Sequence, residues 1–195
     1  YLGRHYGSNY PFKSEKVSKA FYSLTMYDSI DCDVDDISTV IHEYVSQNIG
    51  EKDKLIISSE SFANNMVDRG LLAERLKLIF PEAKILMLIR EQINALRSMY
   101  SFLVMQRGRN INIAYGRPSV DSFEKWIVEQ ELFFGKSFIT TLKYYEYISV
   151  YAELFGEQNI TVLLFEELVH SPQTFYRKLD VFFDEDLENH LNCID

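Results

Sequence analysis

Lys84-Ile85-Leu86-Met87-Leu88-Ile89-Arg90 decides the fold class. Five apolar residues run together without alternation, which is the pattern of a central parallel strand buried on both faces. Arg90 stands at its carboxyl end. Residues 92–105 follow with helical spacing, and a strand that feeds a helix is the unit from which parallel α/β sheets are built.

Reading outward, the alternation continues. Upstream, residues 14–27 read as a helix. A second helix spans 35–49: Ile37, Val40, Ile41, Tyr44 and Val45 recur at i, i+3, i+4, i+7 and i+8, and Gly50 closes it. Leu55-Ile56-Ile57 reads as a short buried strand running into Ser58-Ser59-Glu60-Ser61. Leu71, Leu72, Leu76 and Ile79 form an amphipathic helix stopped at Pro81. Downstream, residues 106–118 read as a loop, and Asp121 with Glu124 makes a capping box for the helix that carries Trp126. A long helical stretch covers 137–154 and ends at Phe155-Gly156. Residues 160–165 read as another buried strand. Ser171-Pro172 opens a last helix through Phe182, with Pro at the first helical position. The expected fold class is therefore α/β, a central parallel sheet flanked by helices on both faces, in a single domain over residues 1–195.

Composition sets outer bounds. The chain has 195 residues, 47% hydrophobic and 25% charged, as in an ordinary globular protein. Its net charge of −9 argues against a nucleic-acid polymer or an anionic membrane as main partner. It leaves room for a small anionic ligand held by a local Arg. Cys32 and Cys193 lie at opposite ends and read as free thiols. The four His form no metal-binding spacing, so no metal is expected. No run of 18 apolar residues and no signal peptide is visible, which favours a cytoplasmic location.

Open parallel sheets bind ligands at the carboxyl ends of their strands. Three such ends are polar here: Ser58–Ser61, Arg90, and Glu166-Glu167. A guanidinium just past an apolar strand matches phosphate oxygens with two parallel hydrogen bonds. Ser98 follows eight residues later, and a hydroxyl plus a guanidinium can share one phosphate. On spacing alone two readings stand: a phosphate site, or an Arg90 paired with a carboxylate such as Glu91 or Glu124 beside a small packing Ser98.

FPEAKILMLIREQINALRSMYSF, residues 80–102, resembles the 3′-phosphate motif of PAPS-dependent sulfotransferases. That family shows a strand, an Arg at its end, and a Ser eight positions on, usually followed by an aromatic. Arg90, Ser98 and Tyr100 fit this pattern. Residues 142–183 are similar to the family's later segment: a Tyr-bearing helix, Phe-Gly, a strand ending in Glu-Glu-Leu, a Pro-started helix and Phe-Phe. The resemblance implies the P-loop NTPase-like sulfotransferase architecture, PAPS as co-substrate with its bisphosphate (PAP) as product, and no metal. It departs from the family in two places. Glu91-Gln92 stand where a Pro is usual. The Gly-rich 5′-phosphosulfate loop, which would cradle phosphate with backbone N–H groups, is not matched. The resemblance places that loop and the first strand upstream of Tyr1, so residues are expected to precede it; failing that, the domain is inactive.

The implied reaction moves a sulfuryl group from PAPS to an acceptor hydroxyl in line, and a base must take the acceptor proton. Glu60 is the candidate base, at the end of the strand ahead of Arg90's, and His5 is the runner-up. Otherwise Glu60 is a carboxylate that merely favours a helix start. The acceptor is expected to be a small molecule or a glycan, and a Glu in that role favours the glycan. Tyr144 falls where family members present a Tyr to the nucleotide. Arg107, Arg109 and Arg117 share a stretch without acidic residues, which suits either anion steering or a plain solvated loop. Glu166 and Glu167 are expected to be structural. Two other readings remain: a nucleotide or small-molecule kinase, and a non-catalytic sulfotransferase-like binding module.

Overall fold

The computed structural model describes residues 14–27, 30–50, 53–58, 62, 68–105, 122–131 and 138–185. The chain divides into two compact units, Tyr1–Glu82 and Ala83–Asp195.

In the first unit, described residues form helices α1 (Glu15–Met26), α2 (Val34–Asn48) and α3 (Arg69–Ile79). Each begins on a short polar side chain that accepts from an otherwise orphaned N–H of the first turn. Ser14 caps Val17, Asp33 caps Asp36 and Asp68 caps Leu71. The apolar faces of all three meet: Val17, Ala20 and Leu24 of α1, Ile37, Val40 and Ile41 of α2, and Leu72, Leu76 and Ile79 of α3 are buried. Helical spacing of these positions is what lets three amphipathic helices share one core. His42 adds a hydrogen bond from its Nε2 to the Ile79 carbonyl, at 3.0 Å, across α2 and α3.

Two details of this unit differ from expectation. Helix α2 ends at Ile49 in extended backbone, and Gly50 does not take a left-handed cap. The Gly50 N–H donates instead to Asp53 Oδ2 at 2.8 Å. Residues 55–57 are not a buried strand. Only Ile57 has bridge geometry, and Ile56 is exposed. Three apolar residues next to a loop closed by Asp53 bury too little to hold a strand.

The second unit holds strands β1 (Ile85–Ile89) and β2 (Ile160–Leu164), which pair in parallel with Ile85 opposite Ile160 and Ile89 opposite Leu164. Helices α4 (Gln92–Met105), α5 (Phe123–Glu131) and α6 (Tyr144–Phe155) lie between the strands in sequence, and α7 (Phe165–His170) and α8 (Pro172–Phe183) follow. The described chain is thus mostly helical with a small two-stranded parallel sheet. Among the described residues no helix is long and apolar enough to cross a membrane.

The expectation that β1 is buried on both faces is corrected. Its residues alternate between half-buried and exposed, with Leu86 36% and Leu88 53% exposed. An unalternating apolar run reports a preference for burial, but a two-stranded sheet covers only part of what it carries. Leu163 on β2, in contrast, is only 1% exposed.

Three further boundaries shift. The cap of α5 is Ser122, whose Oγ accepts from the Lys125 N–H at 3.2 Å; Asp121 lies outside the described residues. The stretch read as one helix over 137–154 is broken at Lys143 (φ −78°, ψ 60°) into a 3₁₀ turn, Ile139–Leu142, and α6. That helix stops at Gly156, whose φ of 88° is the left-handed region where a Cβ is strained. Ser171 precedes Pro172 as expected, but its side chain makes no cap bond; its carbonyl accepts from Thr174 and Phe175. Trp126 is fully buried with Leu96 and Leu142, and Met99, Tyr100, Phe123 and Tyr144 pack around them.

Candidate functional site

Parallel register builds the site. Ile89 pairs with Leu164, so both strands end on the same rung and Arg90 and Phe165 leave the sheet side by side. The Arg90 guanidinium lies over the Phe165 ring, 4.8 Å from its centroid. A cation on an aromatic face is attracted by the ring quadrupole.

The residues after each strand lock the corner. Glu91 accepts from the Ile93 N–H at 2.9 Å with Oε1 and from the Asn94 N–H at 2.7 Å with Oε2, so it caps α4 with both oxygens. The Glu91 N–H in turn donates to Glu166 Oε1 at 2.9 Å. This hydrogen bond, first, and one from its own backbone N–H hold the Glu166 carboxyl below its ordinary range, with Arg90 and His170 adding attraction. Glu167 faces the other way, toward α8, where Lys178 Nζ reaches it at 2.6 Å.

Tyr144 opens α6 beside this corner. Gln92 Nε2 donates to the Leu142 carbonyl at 2.9 Å, tying the start of α4 to the turn just ahead of Tyr144. Burial pushes the Tyr144 hydroxyl above its ordinary value, and a hydrogen bond with the Arg90 backbone pulls against that. The Tyr144 ring packs on the Trp126 core while its hydroxyl sits at Arg90. Arg90 and Tyr144 are thereby brought together.

Ser98 is not in that contact. It lies exposed on α4, one turn past Asn94, and no hydrogen bond joins it to Arg90 among the described residues. The rise of a helix puts it about 9 Å along the axis from Gln92. Glu60 falls outside the described residues, as do His5, Arg107, Arg109 and Arg117.

Arg90 makes no ion pair among the described residues, and its Nε is buried without a hydrogen-bond partner. The carboxylate-paired reading of Arg90 therefore does not hold for Glu91, which is committed to the α4 cap, nor for Glu124. The latter is held below its ordinary range by its own backbone N–H and by the Ser122 hydroxyl. What remains at the strand end is a cation on a ring, with both neighbouring carboxylates drawn to backbone donors. Such a group can bind an oxyanion. Neither carboxylate beside it is placed to abstract a proton. A shallow cleft of about 510 Å³ lies elsewhere in this unit, between α6 and β2, lined by Tyr145, Ile148, Ala152, Ile160 and Val162. It includes neither Arg90 nor Tyr144 and offers no cation, so the polar strand end is the better site.

Phe165 and Glu91 were not read as site residues from sequence. The signal was present in the two apolar runs: if they pair in parallel and end together, position 165 must sit beside position 90. No family model, curated protein or solved structure matches the chain.

Proposed function

We propose that the chain is a PAPS-dependent sulfotransferase in which Arg90 holds the 3′-phosphate of the nucleotide. The observation that carries this reading is a guanidinium at the carboxyl end of a parallel strand, set over the Phe165 ring and free of any described ion pair, with the Tyr144 hydroxyl at the Arg90 backbone. The ring helps to hold the cation in place, and preorganised charge is what an anion site needs. The larger sheet with helices on both faces, the upstream phosphosulfate loop, a glycan or small-molecule acceptor and a cytoplasmic location belong to the same proposal. So does the role of Ser98 as the second 3′-phosphate ligand, which requires the phosphate to bridge from Arg90 to the exposed side of α4. In the reaction, Glu60 takes the acceptor proton and the acceptor oxygen bonds to sulfur. The bond from sulfur to the nucleotide phosphate breaks, and adenosine 3′,5′-bisphosphate leaves.

The test is thermal. Adenosine 3′,5′-bisphosphate at a hundredfold excess over its Kd stabilises by about 2.7 kcal/mol. For a protein of this size that is a rise of roughly 5–11 °C in Tm. Arg90→Ala abolishes the rise without lowering the ligand-free Tm by a comparable amount. An unshifted full-length protein, or a shift that survives in Arg90→Ala, refutes the proposal. Tighter binding of ATP with Mg²⁺ than of the bisphosphate would point to the kinase reading instead.

A further inference from the structure

We propose that Glu166 is a positioning residue for Arg90, and that it works as a hydrogen-bond acceptor rather than as a charge. The inference rests on the reading of Arg90 as the phosphate-binding group. Glu166 Oε1 takes the N–H of Glu91, the residue joined directly to Arg90, at 2.9 Å. Phe165, the ring beneath the guanidinium, is joined directly to Glu166. One carboxylate therefore clips the start of α7 to the start of α4. The cation and the ring that carries it hang from the two ends of the clip. Without it, the only described tie on this N–H is lost and the β1–α4 corner can turn relative to Phe165.

The charge of Glu166 acts in the opposite sense. It is near enough to Arg90 to be stabilised by it, so it draws on the same positive field that an incoming phosphate needs. Acceptor and charge thus have effects of opposite sign on anion binding, and two substitutions separate them. Glu166→Gln keeps an oxygen to accept from Glu91 and removes the charge. Glu166→Ala removes both. A residue that only stabilised the fold would show no such split.

The experiment measures two things on the whole chain: adenosine 3′,5′-bisphosphate affinity by calorimetry, and NMR of the ligand-free protein. The NMR reads amide exchange at Glu91 and the Arg90 Nε–H resonance, which the Phe165 ring current displaces. Glu166→Gln is expected to bind as tightly as the parent or a few-fold tighter, most clearly at low salt, with both NMR signals unchanged. Glu166→Ala is expected to bind about tenfold more weakly, the loss of one hydrogen bond that holds the corner. Its Glu91 amide exchanges faster and its Arg90 resonance moves toward the unstacked position. Equal weakening in both variants overturns the proposal, and so does an Ala variant indistinguishable from the parent. Should Glu166→Ala fail to fold, Glu166→Gln decides alone: weaker binding or a displaced Arg90 resonance there refutes the acceptor role. A parent protein that binds no bisphosphate refutes the sulfotransferase reading, while the NMR arm still decides whether Glu166 positions Arg90.

Discussion

Arg75 is a buried cation whose removal has a calculable cost. It sits on α3 at 2% exposure, and its Nη1 donates to the carbonyls of Leu24 at 3.0 Å and Tyr27 at 2.7 Å. Those carbonyls belong to the last turn and C-cap of α1, where helix acceptors lack partners of their own. Nη2 is buried with no hydrogen-bond partner, so the interaction is incompletely satisfied. Arg75→Met keeps most of the stem volume and removes both donors. The buried Leu24 acceptor left unpaired costs about 1–3 kcal/mol and the part-buried Tyr27 acceptor less, while relief of the buried charge returns part of that. The expected net loss is about 2 kcal/mol. Arg75→Ala adds a cavity worth roughly another 2 kcal/mol. At 2–4 °C per kcal/mol, the Met variant should melt about 4–8 °C lower, and the Ala variant about twice as far below the parent. Urea unfolding followed by far-UV circular dichroism gives the same differences as free energies. A second readout is independent of stability. Burial pushes the Cys32 thiol up and Arg75 opposes it, so removing the cation raises the thiol further and slows its alkylation near neutral pH. A Met variant within about 0.5 kcal/mol of the parent would refute the bracket, because the two carbonyls would then be satisfied some other way.

The other predictions concern the second unit. Leu163→Ala should cost about 2–5 kcal/mol and Leu88→Thr less than about 1 kcal/mol, since one side chain is enclosed and the other half open; similar costs in chemical denaturation would mean that β1 is covered on both faces after all. Glu166 has its carboxyl held down by the Glu91 N–H, then by its own N–H, Arg90 and His170, with burial opposing. A folded-state pKa below the unfolded one contributes stability that is present above about pH 4.3 and lost as pH falls through the folded value. The stability difference between parent and Glu166→Gln should therefore shrink on titration from pH 6 toward pH 3, and a constant difference would rule out this coupling.

The fold was legible where local physics decides alone. Helices α1, α2, α3 and α4 come out within about two residues of their expected bounds, because caps such as Ser14, Asp33 and Asp68 and a helical apolar period are properties of short segments. Expectation failed where the outcome depends on what lies across the chain. Leu55-Ile56-Ile57 and Ile85–Ile89 are both short apolar runs, yet only the second finds a strand to pair with among the described residues. Full burial of β1 failed for the same reason, since the number of neighbours a strand acquires is not written in the strand. The break at Lys143 was hidden because a 3₁₀ turn and an α-helix use the same residue types, and only the backbone angles distinguish them.

The site divides along the same line. Arg90 was readable because an Arg at the end of an apolar run is a local pattern. Tyr144 follows from the resemblance alone, and its place beside Arg90 depends on the helix break at Lys143. Phe165 and Glu166 needed a statement about register: two five-residue strands, 75 positions apart, ending on one rung. Once that rung is known, the chemistry follows without further assumption. Positions 90 and 165 must be neighbours, so must 91 and 166, and a cation–ring pair followed by an amide–carboxylate pair is what those residue types can form. A one-residue slip would set Arg90 beside Leu164 or Glu166, giving either an unstacked guanidinium or a closed ion pair. The placing of Arg90 over Phe165 is thus a property of the register before it is a property of the arginine.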